Sequence, residues 1–488
     1  MTMQKDLRRL ANSVLWPGFL GGEAPDWLLD ELRDGLAGVV YFAQNTGGDV
    51  AKLSAQIRDA NPAALIGIDE EGGNVTRLEA GTGSTLPGAA QLGVLDDTAA
   101  TAATGREIAR RLREVGVDLV IAPVADVNTD PRNPVIGVRA FGDDVELVTR
   151  HVLAEIDGIQ SGGVAACVKH FPGHGDTYLD SHHALPVTGA SAEELVRTHL
   201  APFRAAVDAG VYSIMTAHIV VPGWGAEPAT LNPGLLGILR EWGYEGVIIT
   251  DALDMAAVRE TVGIGGGAVR ALAAGADLLC IGNPTNPGEN ALADQDIHDF
   301  RAARDAIVEA LTDGTLPIAR VEEAAARVAT LTARLAEPVD LPDESHALDD
   351  VVRRALTVRG TISPSSDPRT VIDARSRPTL AVDDAGDYVA DAIASGGTVS
   401  RVDAGESVPS AYADVVATLG EQNVVVVDRV NTSPEQRALI EAIAQADPSA
   451  VIVNVGLPAH EDLPLATIDV AAASAVGARA VAALLRGE

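Results

Sequence analysis

Eight short runs of β-branched and other apolar residues recur through the first two thirds of the chain, separated by Ala-rich segments of helical character. They are Ser13–Phe19, Ala37–Phe42, Ala64–Asp69, Asp118–Ala125, Val164–His170, Tyr212–His218, Gly246–Asp251 and Asp277–Gly282. Strands alternating with helices point to parallel α/β architecture, and eight such units predict a closed (β/α)8 TIM-type barrel. The intervals Gly72–Gly116 and Phe171–Val211 are longer than one helix needs and predict long loops. Ser191-Ala192-Glu193-Glu194 opens a helix as a capping box does, with an acidic residue three after the Ser. Gly263-Ile264-Gly265-Gly266-Gly267 has no following Lys-Ser/Thr and fits no dinucleotide fingerprint, so it reads as a flexible turn.

A boundary follows Leu335. The stretch Glu337-Pro338-Val339-Asp340-Leu341-Pro342-Asp343-Glu344-Ser345 is rich in Pro and acid and reads as a linker. It divides a barrel of residues 1–336 from a C-terminal domain of residues 350–488, with 337–349 between them. That second part carries apolar runs at Thr379–Val382, Asn423–Val427 and Ala450–Asn454. The last two are almost entirely Val and Ile, as expected of strands buried on both faces of a parallel sheet, so a smaller open α/β sandwich is predicted. With 47% hydrophobic and 22% charged residues among 488, the chain has apolar material for both cores.

Charge and composition narrow the function. Lys plus Arg number 36 against 69 Asp plus Glu, a net charge of −33. Such a field repels phosphate backbones and anionic lipid, so neither nucleic acid nor a membrane surface is expected as a partner. The N-terminus lacks the apolar core of a signal peptide, and no apolar run approaches the ~20 residues that span a bilayer, so a soluble, cytoplasmic protein is expected. Cys167 and Cys280, the two cysteines, both lie in apolar runs, which excludes a disulfide scaffold.

In a barrel, chemistry sits at the C-terminal ends of the strands. Here those ends read Asp69-Glu70-Glu71-Gly72-Gly73, Asp126-Val127-Asn128, Lys169-His170-Phe171-Pro172-Gly173-His174-Gly175, His218 and Thr250-Asp251. Ionisable residues delivered to one end by five strands are hard to explain by stability alone. The densest stretch, Lys169 to His183, holds four of the ten histidines, and its Gly and Pro make the part after His170 a loop. Clustered His and Asp could bind zinc, but there is no HExxH helix and Pro and Gly break any one-face geometry, so no metal is expected. An Asp two residues before a His can instead orient the ring and raise its basicity for acid/base work, or simply hold a turn together. Asp251 ends an otherwise apolar strand and is either a helix N-cap or a catalytic carboxylate. Asp254 suits a capping or solvent-facing role better. Gly72 and Gly73 let the backbone turn sharply, and Arg139, in Asn133-Pro134-Val135-Ile136-Gly137-Val138-Arg139, is a ligand clamp or a surface ion pair.

Taken together, these segments resemble the bacterial β-N-acetylglucosaminidase (β-N-acetylhexosaminidase) branch of glycoside hydrolase family 3. The resemblance runs from about Ser13 to Gly282, carried by Lys-His-Phe-Pro-Gly-His-Gly-Asp-Thr…Asp-Ser-His between Asp-x-Glu-Gly-Gly and Thr-Asp-Ala. It extends more loosely through Val453–Pro458. It implies that Asp251 is the nucleophile and that His182, partnered by Asp180, is the general acid/base. It further implies that Asp69, Arg77, Arg139, Lys169 and His170 bind the sugar, with His218 close by. No cofactor is implied. The implied activity is retaining, exo-acting release of β-linked GlcNAc from peptidoglycan fragments or chito-oligosaccharides. Glu70 stands where relatives often have Gln, Asn74 where they often have Arg, and Val138 and Ala140 where small hydroxyl residues are frequent. These departures bear on substrate preference more than on chemistry.

Three other readings are open to the same residues. A phosphorylase could use phosphate as the acceptor, because a His repels an incoming anion less than a second carboxylate would. Lys169 could form a Schiff base with a carbonyl substrate. A sugar-binding protein without turnover would keep the pocket and lose the reaction.

Overall fold

The computed structural model describes residues 2–177, 185–337, 339, 348–376, 388–402 and 409–488. Each of the eight apolar runs holds a strand, the fifth extending one residue past its run: β1 Leu15–Pro17, β2 Gly38–Tyr41, β3 Leu65–Ile68, β4 Leu119–Val120, β5 Ala165–Phe171, β6 Ser213–Thr216, β7 Val247–Ile249 and β8 Leu279–Gly282. All the residues of these strands are buried. That explains why they read as continuous runs rather than as an alternation.

The pairings are parallel throughout. β2 to β7 form one six-stranded sheet in chain order. Ile249 bridges β7 to Leu278 beside β8, and β8 pairs with β1. Ahead of β1 and β2 the Ala37 N–H donates to the Asn12 carbonyl (3.0 Å), and the Trp16 indole of β1 donates to the Leu65 carbonyl of β3 (2.9 Å). Trp16 helps fill the interior with Leu65, Leu119, Cys167, Met215, Ile249 and Cys280. Gly67 leaves it room, since a Cβ there would lie 2.1 Å from the Trp16 ring. The eight units thus build the expected (β/α)8-type barrel. Both cysteines are free thiols in its core.

Helices start where short polar side chains cap them. The Asp49 carboxylate accepts from the Lys52 N–H, Asp144 from Leu147, and Ser191 from Glu194, the last as the capping-box spacing predicts. The Gly263–Gly267 stretch departs from expectation: it opens a helix, Gly263–Ala274. Close packing outweighs propensity here. A Cβ on Gly265 would lie 2.8 Å from the Ala302 carbonyl, and one on Gly267 would lie 2.5 Å from Val258.

By contact partition, one compact unit comprises residues 1–70, 101–134 and 143–346, and the other comprises 71–100, 135–142 and 347–488. The second unit is built on a six-stranded sheet. Its strands are β9 Thr357–Arg359, β10 Thr370–Asp373, β11 Thr398–Arg401, β12 Asn423–Val427, β13 Val451–Asn454 and β14 Ala466–Asp469, in the order β9-β14-β13-β12-β10-β11. Only β9 is antiparallel to its neighbour. Val424 and Val426 of β12 belong to one apolar core while Val425 and Val427 belong to another, so both faces of the strand are covered. The expected strands at Asn423–Val427 and Ala450–Asn454 are β12 and β13; Thr379–Val382 lies outside the described residues.

Candidate active site

The C-terminal ends of β3, β4, β5 and β7 each present a charged or imidazole side chain. Lys169, near the end of β5, is buried, and its ammonium donates to Asp69 Oδ1 across 2.7 Å. Asp69 immediately follows β3 and keeps partial exposure. A lysine committed to this ion pair does not offer the free lone pair that Schiff-base chemistry needs, so the carbonyl-trapping reading loses ground.

Asp126 follows β4 and is fully buried. Its Oδ2 lies 2.7 Å from His170 Nδ1, while Oδ1 accepts from the His174 N–H (2.7 Å) and the His170 N–H (3.3 Å). Burial pushes this carboxyl up, yet the charge and hydrogen bonds of His170 and the N–H of His174 outweigh it and hold it below the usual range. His174 is itself buried, which brings its pKa down to about 4, and its Nδ1 lies 2.7 Å from Thr177 Oγ1. At neutral pH His174 is therefore an uncharged ring.

Asp251 is one residue beyond Thr250 at the end of β7 and is half-buried. Its carboxylate accepts from the Ala252 N–H at 2.8 Å, and its own N–H donates to Thr216 Oγ1 at 3.3 Å. It is not a helix cap, because the next helix, Ala256–Arg259, has Met255 in the N-cap position. Asp254 is buried and accepts from Asn286 Nδ2 (2.7 Å), so it neither caps that helix nor faces solvent. His218 is fully buried and donates from Nε2 to the Ala252 carbonyl (2.9 Å), bracing the turn that bears Asp251.

Electrostatics ties these groups to one end of the barrel. Burial pushes the Cys167 thiol up to about 12, Lys169 draws it down, and Asp69 and Asp251 both push it up. The same two carboxylates act on Cys280. Asp251 also reaches His174.

Arg77 and Arg139 belong to the second compact unit. Arg139 is buried and makes a bidentate pair with Glu71, at 3.0 and 2.7 Å, while Nη1 donates to the Val135 carbonyl (3.0 Å). Gly72 and Gly73 both take positive φ, 80° and 57°, in the sharp turn expected of them. Arg77 follows in that segment, half-buried. His182 and Asp180 lie outside the described residues. Sequence reasoning did not single out Asp126 or Glu71 as partners of the site. Their only signal was position, a carboxylate at a strand end and a Glu beside the Gly pair.

Among the described residues no three His, Cys, Asp or Glu side chains are grouped to hold a metal, and no helix is long and apolar enough to cross a membrane. The sequence matches the family described as "Glycosyl hydrolase family 3 N terminal domain" over residues 28–331. It is 36% identical over 275 residues to a beta-hexosaminidase of Xylella fastidiosa (strain M23), covering 54% of this chain and 81% of that one. It is 37% identical over 291 residues to a beta-hexosaminidase of Xanthomonas oryzae pv. oryzae (strain KACC10331 / KXO85), covering 57% and 84%. The fold superposes on a glycoside hydrolase family 3 beta-N-acetylglucosaminidase from Paenibacillus sp. str. FPU-7 with a TM-score of 0.83, 31% identity, and coverage of 99% of this chain and 96% of that one.

Proposed function

The chain belongs to glycosyl hydrolase family 3 and is a glycoside hydrolase, and from that premise we propose that it is a retaining, exo-acting β-N-acetylglucosaminidase. The observation that carries this reading is Asp251. It is a half-buried carboxylate at a strand end, braced by backbone and by His218, with no helix to cap, at the barrel end that holds the Lys169–Asp69 pair.

In this reading Asp251 attacks the anomeric carbon as the bond to the leaving oxygen breaks, and a covalent glycosyl-enzyme forms. His182 gives its proton to the leaving oxygen, then takes one from the water that hydrolyses the intermediate. Asp180 partners the imidazole. An unperturbed pKa of about 6.5 suits a group that must donate and then accept near neutral pH. These two assignments rest on the Lys-His-Phe-Pro-Gly-His-Gly-Asp…Asp-Ser-His motif. Asp69, Lys169 and His170 hold the sugar from the barrel. Arg77 and Arg139 are assigned to the sugar by the same family resemblance, and the C-terminal part takes a structural or substrate-shaping role without a catalytic group of its own. The substrates are peptidoglycan fragments or chito-oligosaccharides. The setting is cytoplasmic, in keeping with two free, buried thiols.

Product analysis by mass spectrometry tests the reading, using an aryl β-N-acetylglucosaminide with and without phosphate. Free GlcNAc in both conditions, appearing first as the β anomer by NMR, is the expected result. An α anomer overturns retention. GlcNAc 1-phosphate formed with added phosphate replaces the hydrolase by a phosphorylase, and binding without turnover removes the enzyme altogether.

A further inference from the structure

Asp126 is a carboxylate at the catalytic end of the barrel that the proposed reaction leaves without a task. It is fully buried, so it cannot itself meet a substrate. Its two oxygens are used differently. Oδ1 takes two backbone N–H groups, of His170 and His174, and thereby pins the turn after β5. Oδ2 lies 2.7 Å from the imidazole Nδ1 of His170. An ionised carboxylate accepts and never donates. The environment holds Asp126 ionised, so Nδ1 must carry the proton and Nε2 is the ring atom left to change its role. In the Nδ1-protonated ring Nε2 is an acceptor, suited to a hydroxyl that donates.

We propose that Asp126 is a positioning residue that fixes His170 in its Nδ1-protonated form, so that Nε2 receives a hydrogen bond from a substrate hydroxyl. The catalytic consequence rests on the reading of His170 as a sugar ligand; the tautomer does not.

Asp126→Asn separates the two jobs of the carboxylate. The amide oxygen can still accept from both backbone N–H groups. The amide nitrogen then faces His170 as a donor, which forces Nδ1 to accept and moves the ring proton to Nε2. The reversed amide would set a donor against two donors and is disfavoured.

The experiment uses the full chain in four forms: native, Asp126→Asn, His170→Ala and the double variant. Circular dichroism and denaturation midpoints report the fold. Imidazole 15N correlation spectra report the tautomer, with the His170 signal assigned by its loss in His170→Ala. The expected result is Nδ1 protonation in the native chain and Nε2 protonation in Asp126→Asn. The expected kcat/KM for an aryl β-N-acetylglucosaminide falls about 10- to 100-fold in Asp126→Asn, with no further loss when Asp126→Asn is added to His170→Ala. Full additivity of the two losses, or an unchanged tautomer in a folded Asp126→Asn, overturns the proposal. If that variant does not fold, the native spectrum decides: an Nε2-protonated His170 overturns it. A His170→Ala variant with native kcat/KM would sink the sugar-ligand reading instead, and the Nδ1 assignment would still be judged by the spectrum alone.

Discussion

Asp126 and Asp277 are both fully buried carboxylates of the same barrel, one at each end, and they are neutralised in different ways. Asp277 lies two residues before β8, at the N-terminal end. It is gripped by Arg240, Arg320 (2.9 Å) and Arg327 (3.2 Å), and it accepts from the Ile248 N–H at 3.0 Å. Asp118 repeats the pattern one residue before β4, with Arg58 at 2.6 Å and the Ile66 N–H at 2.9 Å. Guanidinium groups are permanent cations, so this end is held at every ordinary pH. At the other end Asp126 is held by an imidazole and backbone amides, and Asp69 by a lysine. Those partners can change protonation or share their hydrogen bonds with a ligand. One end of the barrel is therefore built for stability and the other for chemistry.

The contrast is sharpest for Asp251→Asn against Asp277→Ala. Asp251→Asn is expected to lower kcat at least about 10³-fold, with a denaturation midpoint near native. A folded variant that keeps native turnover would remove the nucleophile assignment and with it the division between the ends. Asp277→Ala is expected to do the reverse. Three arginines lose their shared carboxylate, so unfolding should become easier by about 3–5 kcal/mol, while kcat per folded molecule is unchanged. A large loss of kcat in the folded fraction would show that the two ends are coupled.

Acid should act through the catalytic end. The His174 pKa drops from 6.5 unfolded to about 4 folded, so between these values the unfolded chain binds more protons. The stability from keeping this ring neutral is complete above pH 6.5 and is lost as pH falls toward 4, about 3 kcal/mol in all. Urea denaturation across that range should show a shallower acid slope for His174→Gln than for the native chain. Equal slopes would mean that other groups carry the acid sensitivity. The smallest effect is expected at Asp118. Burial pushes its carboxyl above the usual range despite Arg58, so ionisation there is poorly rewarded. Asp118→Asn should cost only about 1 kcal/mol in the same assay, well below Asp277→Ala.

The barrel was legible because its strands are buried on both faces. That writes β-branched runs such as Val39-Val40-Tyr41 and Val247-Ile248-Ile249 into the chain. In the second sheet the same reasoning found β12 and β13 but not β9, β10, β11 or β14; in β11, for example, Thr398–Arg401 are partly or well exposed and carry no apolar run. The helix at Gly263 was missed because its glycines answer to neighbours such as Ala302, which lie far off in sequence. Lys169 and Asp69 could be picked out as strand-end residues. The bonds of Asp126 could not, since they close across 44 and 48 positions and exist only once β4 lies beside β5. Gly-x-Asp-Leu recurs at Gly116–Leu119 and Gly275–Leu278, at the arginine-held end, but nothing in the pattern itself names the arginines that close on it.

The second compact unit gathers residues 71–100 and 135–142 with 347–488. Within it Gln91 donates to the Val470 carbonyl (3.0 Å), the Ala473 N–H donates to Asn74 (2.8 Å), and the Val476 N–H donates to the Ser84 carbonyl (3.1 Å). A ribosome adds about 5–20 residues per second, so the early segments emerge tens of seconds before the partners they need. Through that interval Val75, Leu86, Leu92 and Phe141, all buried in the finished protein, have no finished core to enter. Slower elongation lengthens the wait, and a cell producing this chain in quantity must shield those segments or lose part of the yield to aggregation.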